Sequence, residues 1–334
     1  MSEEIKKFKV TIDGKTTEVE PGTTILNAAR QIGGKSVPPA MCYYSKLENS
    51  GGRCRTCLVE VSKGSEADPR PMPKLVASCR TTVMDGMEVK NLTSEKTQEA
   101  RKAVTEFLLL NHPLDCPICD QAGECHLQDL GYEHGLQQTR NDFEKNTYDA
   151  DDLGPNIKLN MNRCILCARC VLVANQLTNT REHGILFRGE HAEISTYLNK
   201  ALDNDFIGNV IDVCPVGALT DRTARFASRV WFTKPVDATC TCSKCSGKAV
   251  LWMKGDEIVR VTARKDQYGE VEEFICNECR FEKKDVKHWN IEGPRHISRH
   301  SVISLNHYQK PEEMVVKALE NETAKEISKK DNLE

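Results

Sequence analysis

The sequence predicts an α+β protein made of several small domains, each organised around a group of cysteines. Strand and helix patterns alternate over residues 1–93, sixteen cysteines fall into four separate groups, and only 39% of the 334 residues are hydrophobic. Small domains with thin apolar cores gain folding free energy from bound metal, because metal binding and folding are coupled. The composition therefore favours a series of metal-binding domains.

Charge and terminal composition argue against several classes of protein. The formal net charge of −3 gives no support for a nucleic acid or an anionic membrane as partner. Residues 1–7 have no apolar run and include two glutamates, unlike a secretory signal or a transit peptide. No segment has the length of a membrane span. We expect a soluble or peripheral protein of the bacterial cytoplasm, where disulfides are disfavoured and sixteen cysteines indicate metal.

Residues 1–93 form the first predicted domain. Apolar and polar residues alternate on both sides of Asp13-Gly14, which predicts a β-hairpin. Thr23 or Thr24 is expected to cap a helix over Ile25–Ile32, and Gly33-Gly34 to end it. Short strands are predicted at residues 57–61, 75–77 and 87–89. A strand pair, a helix, a long loop and return strands in this order are typical of a β-grasp ferredoxin domain.

The first cysteine group lies in this domain and consists of Cys42, Cys54, Cys57 and Cys79. Gaps of eleven, two and twenty-one residues separate them, and Gly51-Gly52 would let backbone amides approach the metal site closely. A [2Fe–2S] cluster needs four thiolates, most of them on one loop. Zinc is the alternative, but zinc sites rarely begin with so long a gap. The spacing favours [2Fe–2S].

The second segment, residues 94–140, begins with a predicted amphipathic helix capped by Ser94. Its apolar side is predicted to contain Ala100, Val104, Phe107, Leu108 and Leu110.

Three cysteines follow this helix, namely Cys116, Cys119 and Cys125. They leave a metal site one ligand short, and His112, four positions before Cys116 and fixed by the following proline, is the predicted fourth ligand. His126 and His134 compete for this place, although His126 is poorly positioned beside Cys125. Spacing alone leaves open both a [4Fe–4S] cluster with a histidine ligand and a Cys3His zinc site.

The third segment, residues 141–229, contains the most specific spacing. Cys164, Cys167 and Cys170 are each two residues apart, and Cys214 follows at a distance with a proline after it. Three thiolates so close together crowd a single tetrahedral zinc, but they fit three corners of a [4Fe–4S] cube that Cys214 completes. The segment is predicted to be a small α-rich [4Fe–4S] ferredoxin-like domain.

The fourth segment, residues 230–285, has a β-rich pattern and five cysteines. Two Cys-x2-Cys pairs thirty residues apart are typical of zinc ribbons and rubredoxins. The pairs are Cys242 with Cys245 and Cys276 with Cys279, and Cys240 is interpreted as the unused cysteine. Both zinc and a [4Fe–4S] cluster fit this pattern. Residues 286–334 are predicted to be a charged tail whose end forms a short fraying helix.

Four motifs together resemble the large iron–sulfur subunit of respiratory complex I, the G-subunit family of NADH-quinone oxidoreductase. They are the Cys-x2-Cys pair at 54–57, HPLDCPICDQAGECHLQD at 112–129, RCILCARCV at 163–171 and CPVGALTD at 214–221. The likeness runs from about residue 5 to residue 281. It implies a [2Fe–2S] cluster on the first group, and [4Fe–4S] clusters on His112 with the second group and on the third group.

The resemblance also implies a place in a larger assembly. Electrons would pass from a flavin/NADH-binding subunit, through this chain, toward the quinone-module subunits of the peripheral arm. The complex would hold the chain on the cytoplasmic face of the bacterial inner membrane.

The sequence departs from the family at two points. Family members with a further cluster carry it on Cys-x2-Cys-x3-Cys and a distant cysteine, whereas this chain has Ala249 at the third position and an additional Cys279. One ligand is lost and one is gained, so we expect a metal to remain, with zinc preferred to [4Fe–4S]. Bacterial relatives also continue into a molybdopterin-oxidoreductase-like domain, and this chain is expected to be a short form without it.

The chain has no glycine-rich dinucleotide fingerprint and no nucleophile–base arrangement. It is therefore expected to have no catalytic site of its own and to act as a subunit of a redox enzyme. One alternative is the electron-wiring subunit of an NAD-linked hydrogenase or formate dehydrogenase, which shares the first three motifs. The other is a structural zinc-binding interaction protein, which would contain no acid-labile sulfide.

Overall fold

Residues 8–90 form a mixed five-stranded sheet packed against one helix. The computed structural model describes residues 6–295 apart from 137, 142, 143, 149, 150, 180, 182, 198 and 199, and the predicted C-terminal helix lies outside these residues. The sheet order is β2-β1-β5-β3-β4, with β1 and β5 parallel and the other pairs antiparallel. This is the predicted β-grasp arrangement. Its elements are β1 (Phe8–Ile12), β2 (Lys15–Val19), α1 (Ile25–Ile32), β3 (Leu58–Lys63), β4 (Val76–Ala77) and β5 (Met87–Lys90).

Local sequence explains the hairpin and the first helix. Asp13 and Gly14 have φ angles of 46° and 79°, which a two-residue turn between twisted strands requires. The Thr24 hydroxyl accepts a hydrogen bond from the Asn27 amide at 3.3 Å and caps α1, and Gly33 ends the helix with φ 73°. The predicted hairpin and helix are confirmed.

Asp13 also attaches the hairpin to the segment that precedes the next helix. Its carboxylate accepts hydrogen bonds from the backbone amides of Asn91, Leu92 and Thr93 and from the Thr93 hydroxyl, at 2.8 to 3.3 Å. Partial burial opposes ionisation of this carboxyl, but the four hydrogen bonds outweigh burial and lower the pKa of Asp13. The turn residue therefore has a long-range structural role.

Helix α2 (Glu95–Leu109) begins at the predicted cap, where the Ser94 hydroxyl accepts a hydrogen bond from the Thr97 amide at 3.2 Å. The predicted apolar side is confirmed only in part: Leu108 packs against a buried cluster, but the most deeply buried side is a different one. The buried residues of α2 are Thr97, Arg101 and Thr105, while Phe107 is 74% exposed.

The buried stripe of α2 is polar because the surface beneath it is polar backbone. The Arg101 guanidinium donates to the carbonyl oxygens of Thr56 and Leu58, at 3.3 and 3.4 Å, and to the Asn91 side-chain oxygen at 2.7 Å. Buried carbonyl groups without partners are costly, so this contact favours an arginine over an apolar side chain.

Residues 110–229 consist mainly of loops joined by short elements. Strands β10, β7 and β6 form one small sheet, β8 and β9 form a hairpin, and helices α4 and α5 pack together. The elements are α3 (His126–His134), β6 (Asp151–Asp152), β7 (Ile157–Leu159), α4 (Arg169–Gln176), β8 (His183–Leu186), β9 (Glu193–Thr196), α5 (Asn209–Val213) and β10 (Leu219–Asp221).

The last part of the described chain is a four-stranded antiparallel sheet of order β13-β12-β11-β14. Its elements are β11 (Lys234–Cys240), β12 (Lys248–Lys254), β13 (Glu257–Ala263), α6 (Asn277–Phe281) and β14 (Trp289–Pro294). The β-rich prediction is confirmed. Strand β14 lies within the predicted charged tail, however, where it pairs with β11 and buries Trp289 to 5% exposure.

Among the described residues, no helix combines the length and the apolar character that crossing a membrane requires.

Replacing Asp13 by alanine is expected to lower the free energy of unfolding by about 1–3 kcal/mol at pH 7, because four donors lose an ionised acceptor. Folding lowers the pKa of Asp13. The stabilisation by Asp13 is therefore fully present at a pH above its pKa in the unfolded chain, about 3.9, and is lost as the pH falls through its pKa in the folded protein. Urea unfolding followed by circular dichroism measures the loss.

The matched control is Asp68→Ala, which removes an exposed carboxylate paired with Arg70. We expect this variant to change the free energy of unfolding much less than Asp13→Ala does, because solvent screens an exposed ion pair. Equal losses in the two variants would contradict the anchoring role of Asp13.

Candidate metal centres

Site one consists of Cys42, Cys54, Cys57 and Cys79, all at most 5% exposed. The sulfur atoms of Cys57 and Cys79 lie 3.3 Å apart. The Cys42 sulfur accepts the backbone amides of Arg53 and Cys54, both at 3.3 Å. Amide donors aimed at sulfur stabilise a thiolate, so the donor set suits a metal cluster.

The glycine pair beside site one allows this close approach. Gly51 and Gly52 have φ angles of 94° and 77°, a region that L side chains rarely adopt. A Cβ atom at Gly51 would lie 3.1 Å from the Cys79 sulfur, and the Gly52 amide donates to that sulfur at 3.2 Å. A side chain at position 51 would press on a predicted ligand.

Site two follows α2 and consists of His112, Cys116, Cys119 and Cys125. Cys119 and Cys125 are buried, whereas Cys116 is exposed. The His112 Nδ1 atom is buried and has no hydrogen-bond partner among the described residues. Burial lowers the pKa of His112 to about 4, so the imidazole is neutral at pH 7. A neutral imidazole with a buried, unpartnered nitrogen has the chemistry of a metal ligand.

The two competing histidines have other surroundings. The ring of His126 lies against Gly269, where an added Cβ would be 3.0 Å from its Nε2 atom. The Nε2 atom of His134 lies 3.9 Å from the Glu133 carboxylate. These positions are consistent with the preference for His112.

Sites two and three share a boundary at Gly217. This glycine belongs to the Cys214-Pro215 segment of site three, yet an added Cβ there would lie 2.2 Å from the Cys119 sulfur of site two. The Pro215 carbonyl oxygen accepts the His126 amide at 3.1 Å. The glycine of one cysteine motif therefore makes room for a ligand of the other.

The four cysteines of site three line one small, enclosed cavity, and the other wall residues are apolar. Leu166 and Ala168 have φ angles of 52° and 61°, which turn the backbone of the cysteine run back on itself. Burial raises the pKa of Cys167 to about 11, so its thiolate needs nearby positive charge. A dry cavity lined by sulfur fits an iron–sulfur cube. The wall residues are Leu159, Cys164, Ile165, Cys167, Ala168, Cys170, Ile194, Cys214, Val216, Ala218 and Leu219.

Site four consists of Cys242, Cys245, Cys276 and Cys279, whose sulfur atoms all lie within 4.8 Å of one another. The Cys242–Cys276 and Cys245–Cys279 sulfur distances are 3.6 and 3.8 Å. Two thiolates on one tetrahedral zinc, with Zn–S bonds of about 2.3 Å, are separated by about 3.8 Å. Thiolates on a cube bind four different iron atoms and lie further apart, so the spacing suits a single ion.

Cys240 is not among the four mutually close sulfur atoms, although its thiol makes a hydrogen bond with that of Cys279. It ends strand β11, is 5% exposed, and its amide donates to the Gly247 carbonyl oxygen at 3.0 Å. An added Cβ at Gly247 would lie 2.9 Å from the Cys240 Cβ, so the glycine allows the chain to turn beside it.

A loop between β13 and site four contacts the ligand loop of site one. The Glu270 carboxylate lies 2.8 Å from the Arg30 guanidinium and accepts the Ser45 amide at 2.9 Å. The Val271 amide donates to the Tyr44 hydroxyl at 2.6 Å. The sequence predicted none of these contacts, because they join residues that are more than 220 positions apart.

Known families match three consecutive parts of the chain. Residues 6–94 match a 2Fe-2S iron-sulfur cluster binding domain, and residues 101–140 match the NADH-ubiquinone oxidoreductase-G iron-sulfur binding region. Residues 154–220 match the ferredoxin-like domain of NADH-quinone oxidoreductase subunit 3. Over 288 residues the protein is 39% identical to the G subunit of NADH-quinone oxidoreductase from Rickettsia bellii.

Most of the chain is thus similar to the G subunit of NADH-quinone oxidoreductase. The match covers 86% of this chain and 40% of the Rickettsia bellii protein. A second relative, the NADH-ubiquinone oxidoreductase 75 kDa subunit of Reclinomonas americana, is 39% identical over 85% of this chain and 39% of its own length. The chain thus spans about two fifths of the length of these two relatives.

A solved structure with a similar fold comes from an NAD+-reducing [NiFe]-hydrogenase in the H2-reduced state. The TM-score is 0.57 and the identity 28%, over 67% of this chain and 91% of that one. Together with the family matches, the strands and helices confirm the α+β class. In keeping with these matches, the chain contains a [2Fe–2S] domain and [4Fe–4S]-binding regions, followed by a fourth cysteine cluster.

Replacing Cys279 by serine is expected to remove about one equivalent of bound metal per chain, because a tetrahedral site loses one of four thiolates. Replacing Cys240 by serine is the matched control and should leave the metal content unchanged. Metal analysis of the three purified proteins measures both outcomes. Loss of metal from the Cys240 variant alone would show that Cys240 is the ligand and Cys279 is not.

Proposed function

We propose that the chain is an electron-transfer subunit of an NADH:quinone oxidoreductase and relays electrons from an NADH/flavin subunit toward quinone-reducing subunits. The observation that carries this proposal is the continuity of the first three sites. Cysteines from all three pack in one buried cluster, in which Cys42, Cys125 and Cys167 are each at most 8% exposed. Electron transfer between clusters weakens steeply with distance, so closely packed sites favour relay.

The proposed ligand sets follow the four segments of the chain. Residues 1–93 would hold a [2Fe–2S] cluster at site one, 94–140 a [4Fe–4S] cluster at site two, 141–229 a second [4Fe–4S] cluster at site three, and 230–285 a metal at site four. The support is an unpartnered His112 nitrogen, a sulfur-lined cavity at site three, and amide donors on the sulfur atoms of site one.

Zinc is proposed at site four. The sulfur separations of 3.6 and 3.8 Å match a single tetrahedral ion, and all four donors are thiolates. Zinc has no redox chemistry, so this site would stabilise the fold while electrons use the other three.

Clusters of iron and sulfide accept and release single electrons, and the chain's own residues set how readily this happens. Buried apolar walls at site three keep out water, which lowers the local dielectric constant. The backbone amides of Gly52, Arg53 and Cys54 donate to thiolate sulfur at site one and stabilise added negative charge. No residue of the proposed mechanism forms or breaks a covalent bond with a substrate.

The proposed partners are the flavin/NADH-binding subunit and the quinone-module subunits of the peripheral arm, on the cytoplasmic face of a bacterial inner membrane. The similarity to these relatives supports this assembly, although they are much longer than this chain. No nucleic acid is proposed as a partner, since the net charge is −3.

A second candidate is the wiring subunit of an NAD-linked hydrogenase or a related formate dehydrogenase. The similar fold of a chain from an NAD+-reducing [NiFe]-hydrogenase favours it. Purification of the native complex distinguishes the two, because quinone-module subunits would accompany the chain in one case and hydrogenase subunits in the other.

The first experiment is the metal and sulfide content of anaerobically purified protein. We expect about 10 iron, about 10 acid-labile sulfides and one zinc per chain, the sum for one [2Fe–2S], two [4Fe–4S] and one zinc site. A content of about 14 iron and no zinc would indicate that site four holds a third [4Fe–4S] cluster instead of zinc. Little iron or sulfide would contradict the relay function and favour a structural zinc protein.

Replacing His112 by alanine is expected to remove or convert one of the two [4Fe–4S] clusters and leave the [2Fe–2S] signal unchanged, because only site two loses a ligand. Electron paramagnetic resonance of the reduced protein measures both signals. The control is His134→Ala, which changes a histidine at the end of α3 and should preserve every signal. A wild-type spectrum for the His112 variant would exclude His112 as a ligand.

A further inference from the structure

Arg169 lies between two ligands of site three and is connected to the ligand loop of site one. The residue is 3% exposed. Its Nη1 atom donates to the Val213 carbonyl oxygen at 3.4 Å, and its Nη2 atom donates to the carbonyl oxygens of Ala40 and Tyr43, at 3.0 and 2.6 Å. Val213 precedes Cys214 of site three, and Tyr43 follows Cys42 of site one. One guanidinium therefore bonds to the backbone beside ligands of two different sites.

The positive charge of Arg169 has no carboxylate partner within the described part of the chain, where its Nε atom also has no hydrogen-bond partner. Its remaining polar contact is with the Tyr44 ring, whose centre lies 5.3 Å from the guanidinium carbon. A guanidinium remains protonated at any physiological pH, and a buried charge without countercharge is costly. Carbonyl dipoles and one ring offset only part of this cost.

Two other buried arginines near the cysteine sites are neutralised directly, whereas Arg101, beside Cys57, bonds to carbonyl and amide oxygens of site one's surroundings only. Arg163, beside site two, donates from Nε to the Asp115 carboxylate at 3.1 Å. Arg280, in the helix that carries Cys279, forms a buried ion pair with Asp212. Arg169 differs from both, and the negative charge available to it is that of the thiolates at the two sites it connects.

We propose that Arg169 is the shared countercharge of sites one and three, and that it raises the reduction potentials of both. The inference rests on the proposed function, since it requires clusters at these sites. Reduction adds an electron to a cluster that is already anionic, so a fixed positive charge stabilises the reduced form more than the oxidised form. Because the charge is buried, solvent and salt screen it little.

A shared charge has a specific consequence for electron relay. Removing it should shift both potentials in the same direction. Their difference, which drives transfer between the sites, then changes by less than the larger of the two shifts. A charge located at one site alone would change this difference by the full shift.

The test is a redox titration of the purified protein, monitored by electron paramagnetic resonance, for the wild type and for Arg169→Gln. We expect the midpoint potential of the [2Fe–2S] cluster and of one [4Fe–4S] cluster to become more negative, while the second [4Fe–4S] cluster, at site two, keeps its potential. Arg169→Lys keeps the charge and should keep both potentials near the wild-type values. Arg260→Gln removes a guanidinium that Glu124 already neutralises, and it should leave sites one and three unchanged.

Unchanged potentials in Arg169→Gln, with both clusters present, would overturn the proposal and leave the relay function intact. Absence of the clusters from the wild type would instead overturn the proposed function. If Arg169→Gln fails to assemble a cluster, the neutral variant Arg169→Met is titrated instead: a negative shift of both potentials supports the charge effect, and unchanged potentials contradict it.

Discussion

The structure depends on burying sulfur ligands that must be negatively charged when they bind metal. Burial, together with the neighbouring Cys214, raises the pKa of Cys167 to about 11. Each site therefore needs compensating donors or cations. At site one these are the backbone amides that donate to the sulfur atoms of Cys42 and Cys79. The requirement accounts for a feature that an ordinary apolar core would exclude, the buried Arg169 within a cysteine run.

The same constraint explains where glycine is needed. Gly51 and Gly217 are both close to ligand sulfur, and a methyl group at either position would meet it at 3.1 or 2.2 Å. Gly217 follows Cys214 of site three in the sequence, but the space it leaves is filled by the Cys119 sulfur of site two. The two cysteine motifs, which are separate in sequence, therefore pack against each other. A substitution at position 217 would therefore disturb site two although the residue belongs to the segment of site three.

Local patterns in the sequence were sufficient to predict the hairpin at Asp13-Gly14, the Thr24 and Ser94 caps and the β-rich final segment. Each depends on residues within a few positions of one another. The polar face of α2 could not be predicted in this way, because Arg101 is placed by carbonyl groups more than forty positions earlier. The spacing of the cysteines and of His112 was also sufficient to suggest every candidate ligand. The proposed role of Arg169 could not be predicted, because it depends on hydrogen bonds to Ala40 and Tyr43, which only the fold brings close to Arg169.

The contacts of Glu270 and Val271 with the segment Tyr44-Ser45 affect the order in which the protein is completed. These contacts join residues about 225 positions apart, so the N-terminal sheet emerges from the ribosome long before its ligand loop has all of its neighbours. The loop that carries Cys42 obtains its full set of supporting contacts only after the segment around residue 270 has been synthesised. Iron and sulfide delivered to site one before that point in translation would therefore meet a loop that still lacks these contacts.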